Sequence, residues 1–306
     1  MSLVFKVAEN VYLIDTLGAN FDKTVASYLV KGSKVALIDV GYASSYINVI
    51  KGLQILNIDL KDINYIIPTH VHLDHAGAVG VLAKYMKNAK IIAHERAIRH
   101  IIDPSKLIQS ATSVYGEELM KIYGAPEPVE QDRVEAVKDE LFLNLGNNVE
   151  LRLIYTPGHA PHHISVIDET RKILFSGDAL GIIYPHFPVL IPTMPPPSFD
   201  FNMALKSIDV LESFKPKSVL IPHFGAIIND EHIFKKNKDT MSEWLRLISE
   251  MRSQGLTQND AVSFLTTKVS KEINTEIPIY AIGSITITVM GVYNYLDRIS
   301  QKSETK

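Results

Sequence analysis

The stretch Thr69-His70-Val71-His72-Leu73-Asp74-His75-Ala76-Gly77 places three imidazoles and a carboxylate within six residues, in a chain that has only 11 histidines. Imidazole and carboxylate together suit Zn²⁺, and grouping them at one strand-to-helix turn aims them into one crevice. Histidines on a surface turn are the ordinary alternative. Three further islands argue against it: Thr156-Pro-Gly-His159-Ala-Pro-His162-His163, Phe175-Ser-Gly-Asp178 and Ile221-Pro-His223-Phe224-Gly225. Each puts a His or Asp just past an apolar, strand-like run. One such histidine alone reads as a hydrogen-bonded core residue, whereas four islands of one design read as ligands gathered from several strand ends. The chain has no Cys, which excludes disulfides, thiolate metal sites and a thiol nucleophile.

Elements that could position these islands are legible in the apolar pattern. Strands are expected over residues 10–16, 24–30, 34–40, 63–67 and 89–93, with helices over 44–56 and 76–86. Residues 98–123 read as helical with a break at Pro104, ended by Ala125-Pro-Glu-Pro128. A second series follows, with strands over 141–145, 149–156, 163–168, 172–176 and 217–221 and a helix over 201–214. Two such halves suggest two sheets face to face with helices outside. Helices over 231–253 and 257–270 then form a mainly helical extension, 231–306, on a first domain of 1–230.

With 306 residues, 46% hydrophobic and a net charge of −3, the chain has material for a large core and no overall basic field. Nucleic acid is therefore not expected as a partner. The N-terminus, interrupted by Lys6 and Glu9, does not read as a signal peptide, and no stretch is read as reaching the apolar length of a membrane span. A cytoplasmic protein without a membrane partner is the expectation. The apolar tail, 280–299, is expected to pack on the sandwich or on a second copy, giving a possible homodimer.

Taken together, the islands resemble the signature of the metallo-β-lactamase superfamily: His-x-His-x-Asp-His, a distant His, a Gly-Asp and a last His. The match runs from about residue 5 to residue 230. The resemblance implies an α/β fold, a four-layer αββα sandwich of two mixed sheets with outer helices, and a dinuclear metal site at one edge. It implies that His70, His72 and His159 hold one metal, that Asp74, His75 and His223 hold the other, and that Asp178 bridges them. Two zinc ions are the expected cofactor, with iron or manganese as alternatives. True β-lactamases of this fold lack the bridging Asp and many use a Cys ligand, so antibiotic hydrolysis is not expected. The flavodiiron branch carries Glu where His72 stands and adds a flavin domain, and the polynucleotide-cleaving branches add an inserted domain or basic arm. Glyoxalase II, lactonase and related esterases share the full ligand set. In these the turn after the third ligand usually runs His-x-x-Gly-His, so His163 matches the last His, placed to orient a ligand from behind. His162 stands in the Gly position and is a candidate substrate contact.

The chemistry implied is hydrolysis by a metal-bridging hydroxide, with Asp74 as proton shuttle. Six of the 15 prolines fall between Tyr184 and Ser198. That segment is expected to be a stiff loop on the pocket rim, with Tyr184, His186 and Phe187 meeting a small-molecule substrate. The helical insertion, with Tyr115 and Tyr123, is the expected opposite wall. An apolar wall favours an ester, thioester or lactone. Phosphodiester hydrolysis would need basic residues near the site, and Lys235, Lys236 and Lys238 are the only cluster noted. A mononuclear-iron persulfide dioxygenase shares the ligand order and is the third reading.

Overall fold

A computed structural model of the chain describes residues 2–228, 230 and 232–304. The chain divides into two compact units, the first of Met1–Tyr155, His162–Gly177 and Pro216–Ile228, the second of Thr156–Pro161, Asp178–Lys215 and Asn229–Lys306. The expected break at 230 falls just before the C-terminal helices, and residues 156–161 and 178–215 group with those helices as well.

Unit 1 holds two mixed sheets. Seven strands form the first in chain order: β1 (Val4–Ala8), β2 (Val11–Asp15), β3 (Ala26–Lys31), β4 (Val35–Ile38), β5 (Ile63–Ile67), β6 (Lys90–His94) and β7 (Val134–Val137). The β1 to β4 pairs are antiparallel, and the β4 to β7 pairs are parallel. The second sheet contains β8 (Glu140–Gly146), β9 (Val149–Tyr155), β10 (Ile164–Asp168), β11 (Ile173–Phe175), β14 (Ser218–Ile221) and β15 (Gly225–Ile228), ordered β15-β14-β11-β10-β9-β8. Helices α1 (Tyr46–Ile55), α2 (Leu73–Ala76), α3 (Val79–Tyr85), α4 (Glu95–Ile102) and α5 (Ser105–Tyr123) complete this unit.

Strand periodicity sorts its core. In β4 every residue is buried, because alternate side chains serve different cores. Val35 and Leu37 join Val49, Leu53, Leu82 and Ile101 of the helices, whereas Ala36 and Ile38 join Leu151, Val166 and Leu220 of the second sheet. Tyr28 of β3 fastens the two sheets: its buried hydroxyl reaches the carbonyls of Ile221, at 2.6 Å, and Gly225, at 2.9 Å. Burial pushes that phenol well above the usual tyrosine range. It stays a donor at the turn that carries His223.

Unit 2 contains a hairpin, β12 (Ile182–Tyr184) and β13 (Phe187–Ile191), and helices α6 (Phe201–Ser213), α7 (Ile233–Ser253), α8 (Gln258–Ile273) and α9 (Ile279–Glu304). The α/β class with mixed sheets is as expected from the sequence. Several elements differ. The 184–198 stretch, expected to be a loop, begins with the second half of a hairpin, because each proline there leaves the paired positions intact. The apolar tail is one helix whose Ala281, Ile285, Val289 and Val292 face inward. Over Ile279–Gln301 it is long and apolar enough, by length and composition, to cross a membrane, which corrects the expectation from sequence. Its apparent polar interruptions are satisfied by backbone: Ser284 donates to Tyr280 O, Thr286 to Ile282 O and Thr288 to Pro192 O. Strands β1, β7 and β15 went unread because each is short and lies at a sheet edge. Helix α7 begins near its expected start, and Glu231 lies outside the described residues.

Removing the Tyr28 hydroxyl strands two carbonyls at the seam of the sheets. Tyr28→Phe is expected to destabilise the fold by about 1–2 kcal/mol in chemical denaturation. An unchanged denaturation midpoint would show that the seam does not depend on this contact.

Candidate metal centre

Strands β4 and β5 run parallel, so their carboxyl ends emerge side by side. The first delivers Asp39, 1% exposed, and the second delivers Thr69 and the histidine turn. Asp39 accepts from Thr69 N at 2.7 Å and from Thr69 Oγ1 at 3.0 Å. It also accepts from His75 Nδ1 at 3.0 Å. That bond fixes the His75 tautomer and leaves Nε2 to face inward. His70 is held in the same way, its Nδ1 donating to Thr69 Oγ1 at 3.0 Å. His223 Nδ1 donates to Thr24 O at 3.0 Å. Each of these three imidazoles is thus tethered by one nitrogen and presents the other.

The presented atoms converge. In unit 1, Asp74 Oδ2 lies 3.3 Å from His223 Nε2 and 3.5 Å from His75 Nε2. Ligand atoms of Asp74, His75 and His223 all lie within 4.8 Å of one another. Burial pushes the Asp74 carboxyl up, but His75 and His223 outweigh it and hold it well below the usual carboxylate range. Nearby, His70 Nε2 stands 2.9 Å from His72 Nδ1, a separation that needs a shared proton or a shared cation. The donor set therefore suits a borderline cation such as Zn²⁺ or Fe²⁺.

The rest of the turn is supported from behind. His163 is buried with its ring 5.3 Å from that of His70. Gly177 passes so close that a Cβ there would lie 2.4 Å from His163 Nε2, and its φ is +52°. That explains the glycine of the Ser176-Gly177-Asp178 island. His162 lies beside the ligands rather than behind them, with its ring 6.1 Å from His72 and 6.3 Å from His70. Tyr123 of α5 stacks on Tyr42 at 4.3 Å, with Tyr115 edge-on to it. Burial, then the Asp74 charge, push the Tyr123 phenol up, and α5 packs against α2 of the histidine turn.

Unit 2 carries the other two candidate ligands. His159 Nδ1 donates to Thr193 O at 3.3 Å, and its Nε2 lies 3.5 Å from Asp178 Oδ2. Thr193 Oγ1 donates in turn to Asp178 O. Both side chains line a narrow cavity with Thr156, Pro157, Thr193 and Met241. Gly158 allows this loop to lie on α6: its φ is +136°, and a Cβ would come within 2.3 Å of the Ala204 backbone. The hairpin residues are placed differently from the expectation of a rim loop. Tyr184 is buried, its hydroxyl 3.0 Å from Ser284 Oγ and its ring edge-on to Tyr280. Phe187 is fully buried, and His186 is exposed at the turn. Tyr184 and Phe187 are thus packed inside this unit, and His186 alone of the three is exposed.

Sequence reasoning did not single out Asp39, Thr24 or Thr193. Asp39 did carry a signal, since it ends an apolar strand and precedes Val40-Gly41 in the style of the other islands. Thr24 and Thr193 act through backbone carbonyls, which any residue type supplies.

Comparison with known proteins bears on this geometry. The family model described as the metallo-beta-lactamase superfamily matches residues 19–223. The metallo-beta-lactamase fold-containing protein ST1585 of Sulfurisphaera tokodaii is 33% identical over 222 residues, 70% of this chain and 78% of that protein. The crystal structure of the metallo-beta-lactamase family protein TTHA1429 from Thermus thermophilus has a TM-score of 0.66 at 20% identity, covering 96% of this chain and 95% of that one. Human acyl-coenzyme A thioesterase MBLAC2 is 30% identical over 120 residues, 37% of this chain and 40% of that protein.

The tethers generate a test. Asp39→Asn keeps the shape but supplies an amide where His75 and Thr69 need an acceptor on both oxygens. Metal affinity is expected to fall about 10- to 100-fold with the circular dichroism spectrum retained. Metal binding equal to that of the wild type would remove Asp39 from the centre.

Proposed function

The chain belongs to the metallo-beta-lactamase superfamily, and on that premise we propose that it is a metal-dependent hydrolase acting on an ester, thioester or lactone. The observation that carries the reading is the tethering of His70, His75 and His223, each held by one ring nitrogen so that the other faces Asp74 or its neighbours. Packing that many lone-pair donors together is unfavourable without a cation, so the residues fit a metal. By the family's motif order, His70, His72 and His159 would hold one ion, Asp74, His75 and His223 a second, and Asp178 both. A pair of divalent cations supplies a water of lowered pKa and an electrophile for a carbonyl oxygen.

The chain's own groups would do the rest. Asp74, whose Oδ2 lies beside His75 and His223, would accept the proton of the attacking water and return it to the leaving group. Small-molecule carbonyl substrates are favoured over polyanions. The lysine cluster that the sequence offered is partly neutralised, with Lys235 on Asp239 and Lys238 between Asp209 and Glu212. The name of the human relative, a thioesterase, supports the thioester among the three substrate types.

Metal analysis and a substrate panel test the reading. Two zinc ions per chain with ester, thioester or lactone turnover are expected, and one iron per chain would point to the oxygenase chemistry instead. His70→Ala and Asp178→Ala should each lower turnover at least 1,000-fold, on the order of 4 kcal/mol or more of transition-state stabilisation. Asp74→Asn should lose turnover as well, and full activity with both ions bound would end its role as proton shuttle. Undiminished hydrolysis in a metal-stripped sample would overturn the whole reading.

A further inference from the structure

Beside the histidine turn, α4 and the start of α5 present cations that the proposed chemistry leaves unused. Arg99 is exposed, and its Nε donates to His100 Nε2 at 3.2 Å. The bond fixes His100 with its proton on Nδ1. The His100 ring lies 6.3 Å from that of His162, which in turn lies 6.1 Å from His72. Val71 N, between two candidate ligands, is 3.5 Å from His162 Nδ1. A continuous line of side chains thus runs from Arg99 to the metal ligands within unit 1.

Two cations flank this line, with Glu95 and Asp103 as the acids of the same segment. Burial, then Arg99 and Lys106, depress the His100 pKa, so both cations lie within electrostatic reach of that ring. Among the described residues neither Arg99 nor Lys106 has an ion-pair partner, so both are available to a ligand. Glu95 and Asp103 each lie four residues from Arg99 without pairing with it, and Asp103 accepts from Ser105 N at 3.0 Å and from Ser105 Oγ at 2.5 Å. What sets these two cations apart is the line of imidazoles that leads from them to the candidate ligands. Arginine offers a planar fork that suits carboxylate and phosphate oxygens.

We propose that Arg99, His100 and Lys106 form a subsite for an anionic group, a carboxylate or a phosphate, carried by the substrate away from the bond that is cleaved. The proposal rests on the hydrolase reading and narrows it to acyl compounds with one anionic end. Arg99 binds the anion, Lys106 adds charge, and His100 orients the guanidinium and donates from Nδ1. His162 lines the path between subsite and metal ligands, which gives the imidazole at that position a purpose.

The test compares substrates that differ only in charge. On the acyl side, the p-nitrophenyl monoester of glutaric acid is set against p-nitrophenyl pentanoate. On the leaving side, acetyl-phosphopantetheine is set against acetyl-pantetheine. In the wild type, one of the two anionic members should be preferred in kcat/KM, and Arg99→Gln should lower that preference tenfold or more through KM. Arg99→Lys should restore part of it. The pair that responds identifies which side of the substrate carries the anion. Equal effects of Arg99→Gln on charged and neutral partners in both pairs would overturn the subsite. If no ester or thioester is cleaved, the hydrolase reading fails separately, and titration of metal-loaded protein with glutarate and with acetate still decides. Glutarate should bind at least tenfold more weakly to Arg99→Gln than to the wild type while acetate does not, and parallel changes would overturn the proposal.

Discussion

A carboxylate with 1% exposure is costly unless its lone pairs are used, and the use made of Asp39 organises the histidine turn. One oxygen accepts the Thr69 backbone N–H, both accept the Thr69 hydroxyl, and one accepts from His75. The hydroxyl, having donated to Asp39, has only acceptor capacity left, and His70 uses it. One buried acid thereby sets the tautomers of two imidazoles at once. If Asp39 lost its charge, Thr69 could reverse its hydroxyl and both rings would lose their orientation together. The turn is better described as a network hung from one anion than as a series of independent ligands.

The sheets decide where such an anion can sit. β4 to β7 are parallel, so the chain leaves four strands at one edge, and Asp39, Thr69 and His94 all lie at those ends. In the second sheet, β11 is parallel to β14, and β9 is antiparallel to β10, which is antiparallel to β11. β9, β11 and β14 therefore also share a direction, and the islands of His159, Asp178 and His223 follow those three strands in sequence. A rigid core between the sheets holds strand ends far more tightly than loops could hold themselves. The backbone link from Ile164 N to Thr69 O, at 2.8 Å, joins the histidine turn to the second sheet directly.

Much of this was legible because burial on both faces writes continuous apolar runs and because ligand side chains are rare residue types. β4, β6, β10 and β11 were readable for the first reason, β9 by its alternation, and His70, His72, Asp74, His75, His159, Asp178 and His223 were recognisable for the second. Edge strands such as β1 and β7, half exposed, carry a mixed pattern that resembles a loop. The 182–191 hairpin was hidden by its prolines, which signal irregular chain but tolerate edge pairing. Helix α9 was hidden by Gly283 and by Ser284, Thr286 and Thr288, whose hydroxyls donate to backbone carbonyls. Asp39 was overlooked for a different reason. A single acid at a strand end looks like a polar stop, and only the parallel neighbour shows that it faces Thr69.

The same division bears on where substrate choice can reside in unit 1. Residues at strand ends are held by bonds that leave them little freedom: a Cβ on Gly177 would strike His163, and Thr24 and Asp39 each hold a ring nitrogen. Changes there would alter the chemistry before they altered preference. Helices α4 and α5 answer to weaker constraints, since only Ala97, Ile101 and Ala111 of their side chains are deeply buried. Arg99, His100, Lys106 and Tyr115 lie outside that buried set and are not among the candidate ligands. Selection for a new substrate would act most freely on that face, because it borders the histidine turn while taking little part in its support.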